Sequence, residues 1–401
     1  MAATMFKFTL LVSFLCVTAA CRTTAVVSSS KEAPTGDNDP NWWGLDTMIY
    51  DDLPTFYRLN TIPWAGDNWP TARGGISYRW QNPQQTKDYK RFLYQLPTAA
   101  DLAAMQDHEI DALSPAEKYD LWQGRSDLTT KDSVTGRQRW FMLDSAGYNI
   151  REHGVDEIPF WTGICNGWSL AAINEPYPTK SVQVTSPNGR LINFYASDIQ
   201  ALISQVYFDY QPGISIARLG ALCSEPVPAV NNDGRIISPA CRDTNPMSFH
   251  LALAKVLSQG RSFVIDINPT NETINQPSVG YDLRFSNKGP MRSGYKDAAA
   301  NATQLVDVEV VFYYTLETLV GKQSFSPKEM ENLVKNITYQ YTLELDDNNK
   351  VIGGEWAIGS KIPDFIWRPS DLPSDRILLG LDPTYPLSFD KVKEIVTASA
   401  K

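Results

Sequence analysis

The sequence predicts an α+β domain, with helices first and an antiparallel sheet in the C-terminal half. Three observations carry that reading. Capped segments with helical spacing occupy the middle of the chain. From Leu305 onward, apolar and polar residues alternate as they do in half-buried strands. Between two such runs, "DDNNK" reads as a hairpin turn.

Taken in order, the chain begins with a leader. Lys7 precedes "FTLLVSFLCVTAA", an apolar run that ends in small residues, as a secretory signal does. Residues 1–21 are read as that signal. Its end, "VTAAC", also offers Cys21 as an acylated lipoprotein cysteine, although Thr18 stands where such sites usually have Leu. Secretion to an extracellular or periplasmic space is the main expectation, and an outer-membrane lipoprotein held through Cys21 is the lesser one. Residues 22–45 are polar and read as a flexible linker. Residues 46–401 are read as the folded body of the protein, with a soft boundary near residue 100 that suits one continuous domain or two.

Within that domain, "IPWAGDNWPTARGGISYRW" reads as an irregular segment pinned by aromatics. In "SPAEKYDLW", Ser114 is the N-cap, Pro115 is N1 and Glu117 is N3, which makes a capping box. "ASDIQALISQVYF" has helical spacing from Ser197 or Asp198. In "NPMSFHLALAKVLSQGRSFVIDI", Asn245 caps a helix that runs to about Gln259, Gly260 ends it, and a strand follows over 262–267. "LVDVEVVFYYTL" and "NITYQYTLELDDNNKVIGGEW" supply the later strands, with Ile337, Tyr339, Tyr341, Leu343 and Leu345 on one face.

Composition excludes one class of partner. The 401 residues are 43% hydrophobic and 20% charged, with a net charge of −9 and no basic stripe, so nucleic acid is not expected. Protein and small-molecule partners remain open. Eleven Trp and eighteen Tyr suit an aromatic core with aromatic-lined clefts.

Export sharpens the cysteine count. Of five cysteines, Cys16 and Cys21 belong to the leader. Cys223 and Cys241 flank the loop "SEPVPAVNNDGRIISPA", and a disulfide there would stabilise the fold by roughly 3 kcal/mol. Cys165, in "WTGICNGWSLAAI", is left over. It precedes a helix over 166–173, whose N–H groups and dipole favour a thiolate and could form an oxyanion hole. Gly163 and Gly167 would let a substrate backbone approach. The competing reading is a buried, inert cysteine.

A cysteine nucleophile needs a base, and only His108, His153 and His250 exist. His250 shares the apolar face of its helix with Leu253 and Leu257. Asp266 stands in the apolar strand "SFVIDI" and needs a partner there. Cys, His, Asp is the order of papain-like triads, although such enzymes usually carry the base on a strand. His153, in "REHGVDE", is the alternative base.

"WTGICNGWSLAAI", "NPMSFHLAL", "SFVIDI", "NETINQPSVGYD", "YTLELDDNNKVIGGEW" and "PDFIWRP" together resemble the transglutaminase elicitor family of Phytophthora-type oomycetes and bacterial relatives. "IPWAGDNWP" resembles that family's N-terminal segment, and the likeness spans about residues 60 to 370. The resemblance implies a papain-like cysteine-enzyme core and a triad of Cys165, His250 and Asp266. It implies substrate contacts around the cysteine, at Trp161, Gly163, Asn166 and Trp168, and it supports the Cys223–Cys241 pair. It implies a secreted protein-glutamine γ-glutamyltransferase, a monomer acting on glutamine and lysine side chains of proteins, with calcium as a requirement known in the family. No cofactor is needed for the chemistry itself, and the oxygens of "LELDDNN" and "YDDL" read as solvated turns. The family's surface peptide Trp-Asn-Gln-Pro becomes Ile274-Asn275-Gln276-Pro277 here, so the tryptophan is lost. Two rivals stand beside the transferase: a papain-like cysteine hydrolase (protease or peptidoglycan amidase), and a non-catalytic secreted binding protein.

Overall fold

A computed structural model describes residues 38–81, 96–153, 158–211 and 216–222, and residues 243–401 apart from 268–271, 297, 322–323 and 371. Residues 225, 227, 229, 238 and 241 are described as well. The signal read over 1–21 lies outside them. No helix among the described residues is long and apolar enough to cross a membrane.

The chain runs through β1 (Phe56–Arg58), α1 (Ala99–Ala104), α2 (Asp107–Asp111), α3 (Pro115–Trp122), α4 (Val134–His153) and α5 (Cys165–Asn174). It continues through β2 (Val182–Thr185), β3 (Leu191–Phe194), α6 (Ala196–Tyr210), β4 (Ile216–Gly220), α7 (Pro246–Lys255) and β5 (Val264–Asp266). Then come β6 (Asn275–Pro290), β7 (Gln304–Thr315), α8 (Pro327–Asn332), β8 (Val334–Leu345), β9 (Val351–Trp356), β10 (Phe365–Pro369), α9 (Asp375–Leu381) and α10 (Phe389–Ala400). The class is mixed helix and antiparallel sheet, as read from the sequence. The helices do not come first, however: strands are interleaved from β1 on, and α9 and α10 close the described chain.

The expected capping box holds. Ser114 Oγ accepts from Glu117 N at 3.2 Å, and Glu117 Oε2 accepts from Ser114 N at 2.9 Å. Asn245 Oδ1 caps α7 by accepting from Met247 N at 2.9 Å, with Pro246 at N1. That helix stops at Lys255. A 3₁₀ turn, Leu257–Gln259, carries the chain on to Gly260, whose φ of 80° ends the helical run. The end of the expected linker is packed. Trp43 and Leu45 are buried, and Asn38 Oδ1 accepts from Asn245 N at 2.7 Å.

The main sheet is ordered β4-β10-β5-β6-β7-β8-β9, with β1 also paired to β6. Asp266 faces Asn275 in the β5–β6 ladder, while Gly280 to Asp282 of the same strand pair with β1. In the β8–β9 turn, Asp346 Oδ1 accepts from Asn348 N and Lys350 N, and Asn349 takes a φ of 58°.

Strand alternation divides the hydrophobic core in two. On β5 and β10, Val264, Phe365 and Trp367 join a cluster with Trp168 and the residues of α5 and α6. Ile265 and Ile366 join the other cluster, with Phe249, Leu251 and Leu253 of α7. Tyr339, Tyr341 and Leu343 of β8 face that second core too. The sheet therefore separates α5 from α7, and this division places the functional residues.

Candidate active site

The N-terminus of α5 is held from the N-terminal segment. Ile164 N donates to Asn68 O at 2.6 Å and Thr71 N to Thr162 O at 2.8 Å. Trp168 Nε1 donates to Trp64 O at 3.2 Å. Ile164 gives this helix end no side-chain cap; Asn166 Oδ1 takes the N–H of Gly167, and the N–H groups of Cys165 and Asn166 keep their capacity to bind an anion.

Cys165 is the first residue of that helix and is 7% exposed. Its Sγ lies 3.7 Å from Thr273 O, and Asn275 Nδ2 donates to it at 3.5 Å. Trp367 Nε1 donates in turn to Asn275 Oδ1 at 2.7 Å. Ser169 Oγ lies between Cys165 O and Asn275 O, 3.3 Å from the latter. α5 and the start of β6 are thus tied together through Cys165 and Ser169.

The surroundings favour the neutral thiol. Burial, and then the charge of Glu317, push the Cys165 thiol up to about 11. Asn275 works the other way through both its side-chain and backbone N–H, while Asp266 adds to the rise. Glu317 is itself pushed up to about 8, by burial and then by Asp67. Asp67 is raised by burial although Trp69 N, at 2.6 Å, and Val320 N, at 3.0 Å, donate to it. The thiol is therefore un-ionised at neutral pH. A cavity of about 420 Å³ shares Asp67 and Trp69 with this wall and continues past Thr318 and Val320 to Tyr177 and Phe325.

Of the residues read as a triad, Asp266 belongs to this site and His250 does not. Asp266 follows Val264 by two residues and faces Asn275 across the ladder, so its side chain points to the α5 side. Its Oδ1 accepts from Ile274 N at 3.0 Å. His250 lies in α7, against the opposite core. Its Nδ1 meets Tyr341 Oη at 2.6 Å, and its ring lies 5.9 Å from that of Phe285. Burial holds its pKa down to about 3, so it is neutral. Among the described residues it makes no hydrogen bond to Cys165 or Asp266. His108 is exposed on α2. The side chain of His153 lies outside the described residues.

The expected substrate contacts mostly do structural work. Gly163 is small because a Cβ there would lie 2.3 Å from Asn68 O. Gly167 is small because a Cβ there would lie 2.3 Å from Ser204 O on α6. These glycines admit the protein's own backbone rather than a substrate's. Asn166 Nδ2 donates to Gln211 Oε1 at 2.7 Å, and its Oδ1 accepts from Gly167 N. Trp168 is fully buried. Trp161 alone of the four is exposed, at 39%.

Asn275, Gln276 and Pro277, expected as part of a surface peptide, are buried. Sequence reasoning did not pick out Asn275, Trp367 or Glu317 as site residues. Asn275 and Trp367 stood inside quoted motifs, but nothing local tied them to the cysteine. Cys241 is buried and disulfide-bonded. Cys223, the expected partner, lies outside the described residues.

Among the described residues, no three His, Cys, Asp or Glu side chains are grouped to hold a metal. Glu344 of "LELDDNN" already accepts from Tyr295 Oη at 2.9 Å and Ala299 N at 2.7 Å.

Comparison with known proteins agrees with the fold. The GP42 transglutaminase from Phytophthora sojae superposes with a TM-score of 0.63 at 24% identity, over 91% of this chain and 98% of that one. No curated protein matches the chain. Residues 43–401 match the transglutaminase elicitor family. That match takes in α5, the sheet and both C-terminal helices, and the chain belongs to the transglutaminase elicitor family.

Proposed function

We propose that this protein is a protein-glutamine γ-glutamyltransferase that works through Cys165, exported by the leader at 1–21 and acting as a monomer on protein substrates. The observation that carries the proposal is the Cys165 sulfur at an uncapped helix N-terminus, with an amide donor on one side and carboxyls nearby. Family membership and fold support it.

In this reading the sulfur attacks the side-chain amide carbon of a substrate glutamine. The oxyanion that forms is met by the first N–H groups of α5. Glu317, the carboxyl whose charge acts most strongly on the sulfur, takes the thiol proton in its ionised form, the minority form at neutral pH, and returns it to the departing ammonia. A lysine amine then attacks the thioester, gives up a proton to the same carboxylate, and forms the isopeptide bond as the thiolate leaves. His250 would have served as base under the sequence reading. Its hydrogen bond to Tyr341 on the far side of the sheet argues for Glu317 instead.

The test is incorporation of a labelled primary amine into casein by wild type and Cys165→Ala. Incorporation by wild type and none by the variant is expected. Peptide cleavage without incorporation would favour the cysteine hydrolase. No reaction of either kind would favour the non-catalytic binding protein.

A further inference from the structure

Asn275 holds the sulfur in a way that the sequence motif does not explain. An indole N–H can only donate. The atom facing Trp367 Nε1 at 2.7 Å must therefore be the carbonyl oxygen of the Asn275 amide. That fixes the flip of the amide, and its N–H₂ necessarily points the other way, at Cys165 Sγ 3.5 Å distant. All three side chains are buried: Cys165 at 7% exposure, Asn275 at 4% and Trp367 at 3%. In so dry a setting a fixed donor is worth more than one in water.

The rest of the setting is hostile to a sulfur anion. Asp266, from the end of β5, and Glu317, just after β7, both carry charge that opposes ionisation of the thiol. No histidine offers a counter-charge among the described contacts. Apart from the start of α5 itself, Asn275 is the donor group that meets the sulfur.

We propose that Asn275 is a catalytic residue that stabilises the Cys165 thiolate through its amide N–H, and that Trp367 is a positioning residue that locks this amide in the donating orientation. The proposal rests on the reading of Cys165 as the nucleophile. It goes further in assigning to an asparagine and a tryptophan the part that a histidine plays in a Cys-His pair, on the sulfur side only: they stabilise the anion but accept no proton. As the thiol ionises, the N–H···S contact becomes a charge-assisted hydrogen bond and shortens. In the thioester the sulfur loses its charge, and the contact weakens again. The interaction is thus strongest in the states through which the reaction must pass.

The experiment reads the sulfur directly in the full chain. With cysteine labelled by ¹³C at Cβ, the Cys165 resonance, assigned by its loss in Cys165→Ala, is followed between pH 7 and 12, with the fold monitored at each pH. Asn275→Leu keeps the volume and removes the donor. Trp367→Phe keeps a buried ring and removes only the indole N–H. In Asn275→Leu the ionisation constant of the thiol should fall about tenfold, the worth of one hydrogen bond to a charged group. In Trp367→Phe it should fall roughly three- to fivefold, because the amide can then turn its oxygen to the sulfur part of the time. In the double variant, Trp367→Phe should add nothing to Asn275→Leu.

A wild-type titration in either single variant overturns the proposal, and so does an additive double variant. If Asn275→Leu does not fold, Trp367→Phe decides alone. Absence of amine incorporation by the wild type would sink the transferase reading and leave this titration to be judged on its own result.

Discussion

The two faces of the sheet invite comparison, because each buries a residue with the chemistry of a catalytic group. On the α5 face, Asn275 donates to Cys165, and the charges of Glu317 and Asp266 act on its thiol. On the α7 face, His250 meets the hydroxyl of Tyr341 amid aromatic rings, and burial alone sets its protonation. On the first face, charges and donors of different elements converge on one buried group; on the second, a buried group has one neutral partner. The difference is made by strand parity: Asp266 and Trp367 project to one side, Ile265 and Ile366 to the other.

Three predictions would break or sharpen this comparison. The largest effect should come from Glu317→Gln, which should slow amine incorporation by about a hundredfold, while His250→Gln stays within a few-fold of wild type per folded molecule. Rates normalised to folded fraction by circular dichroism check this. A hundredfold loss in His250→Gln with the fold intact would restore the histidine as base and erase the contrast between the faces.

The second effect concerns acid stability. His250 is neutral in the folded state down to about pH 3, whereas an unfolded chain's histidine takes up a proton near 6.5. Its contribution is therefore fully present above pH 6.5 and is lost progressively as the pH falls toward 3. At pH 5 the loss should reach about 2 kcal/mol. Denaturant titrations at pH 7.5 and 5 should show a smaller drop in His250→Phe than in wild type. Equal drops would mean that the ring gains a charge partner in solution.

The smallest effect is that of Tyr341→Phe. It removes the 2.6 Å contact to His250 and should cost about 1 kcal/mol of stability, with turnover unchanged. A fall in turnover larger than the fall in folded fraction would show that the two faces communicate.

The resting thiol also qualifies an inference drawn from reactivity. With its pKa pushed up to about 11, Cys165 should alkylate slowly at neutral pH. Slow labelling is thus what the site predicts, and it does not mark a decayed enzyme.

Much of the fold was legible because its signals are local. The capping boxes, the Asn245–Pro246 start and the alternation of Ile337, Tyr339, Tyr341, Leu343 and Leu345 each occupy a dozen residues or fewer. Strand β6 was missed, since its first half is buried on both faces and shows no alternation. The site was legible at one point, Cys165, and at Asp266 beside it. His250 was correctly seen to face an apolar side, but a helix face does not say which side of a sheet it will cover. Asn275 was invisible as a site residue because its partners, Cys165 and Trp367, lie 110 and 92 residues away.

Those separations also order events during biosynthesis. The cysteine is made early and the indole that completes its setting is made about two hundred residues later, on β10. A chain still being synthesised carries the thiol first without Asn275, and then with Asn275 but without Trp367. The surroundings of the sulfur are therefore completed last, when almost all of the polypeptide has been made, and a chain cut short before β10 would hold Cys165 and Asn275 without the indole that orients the amide.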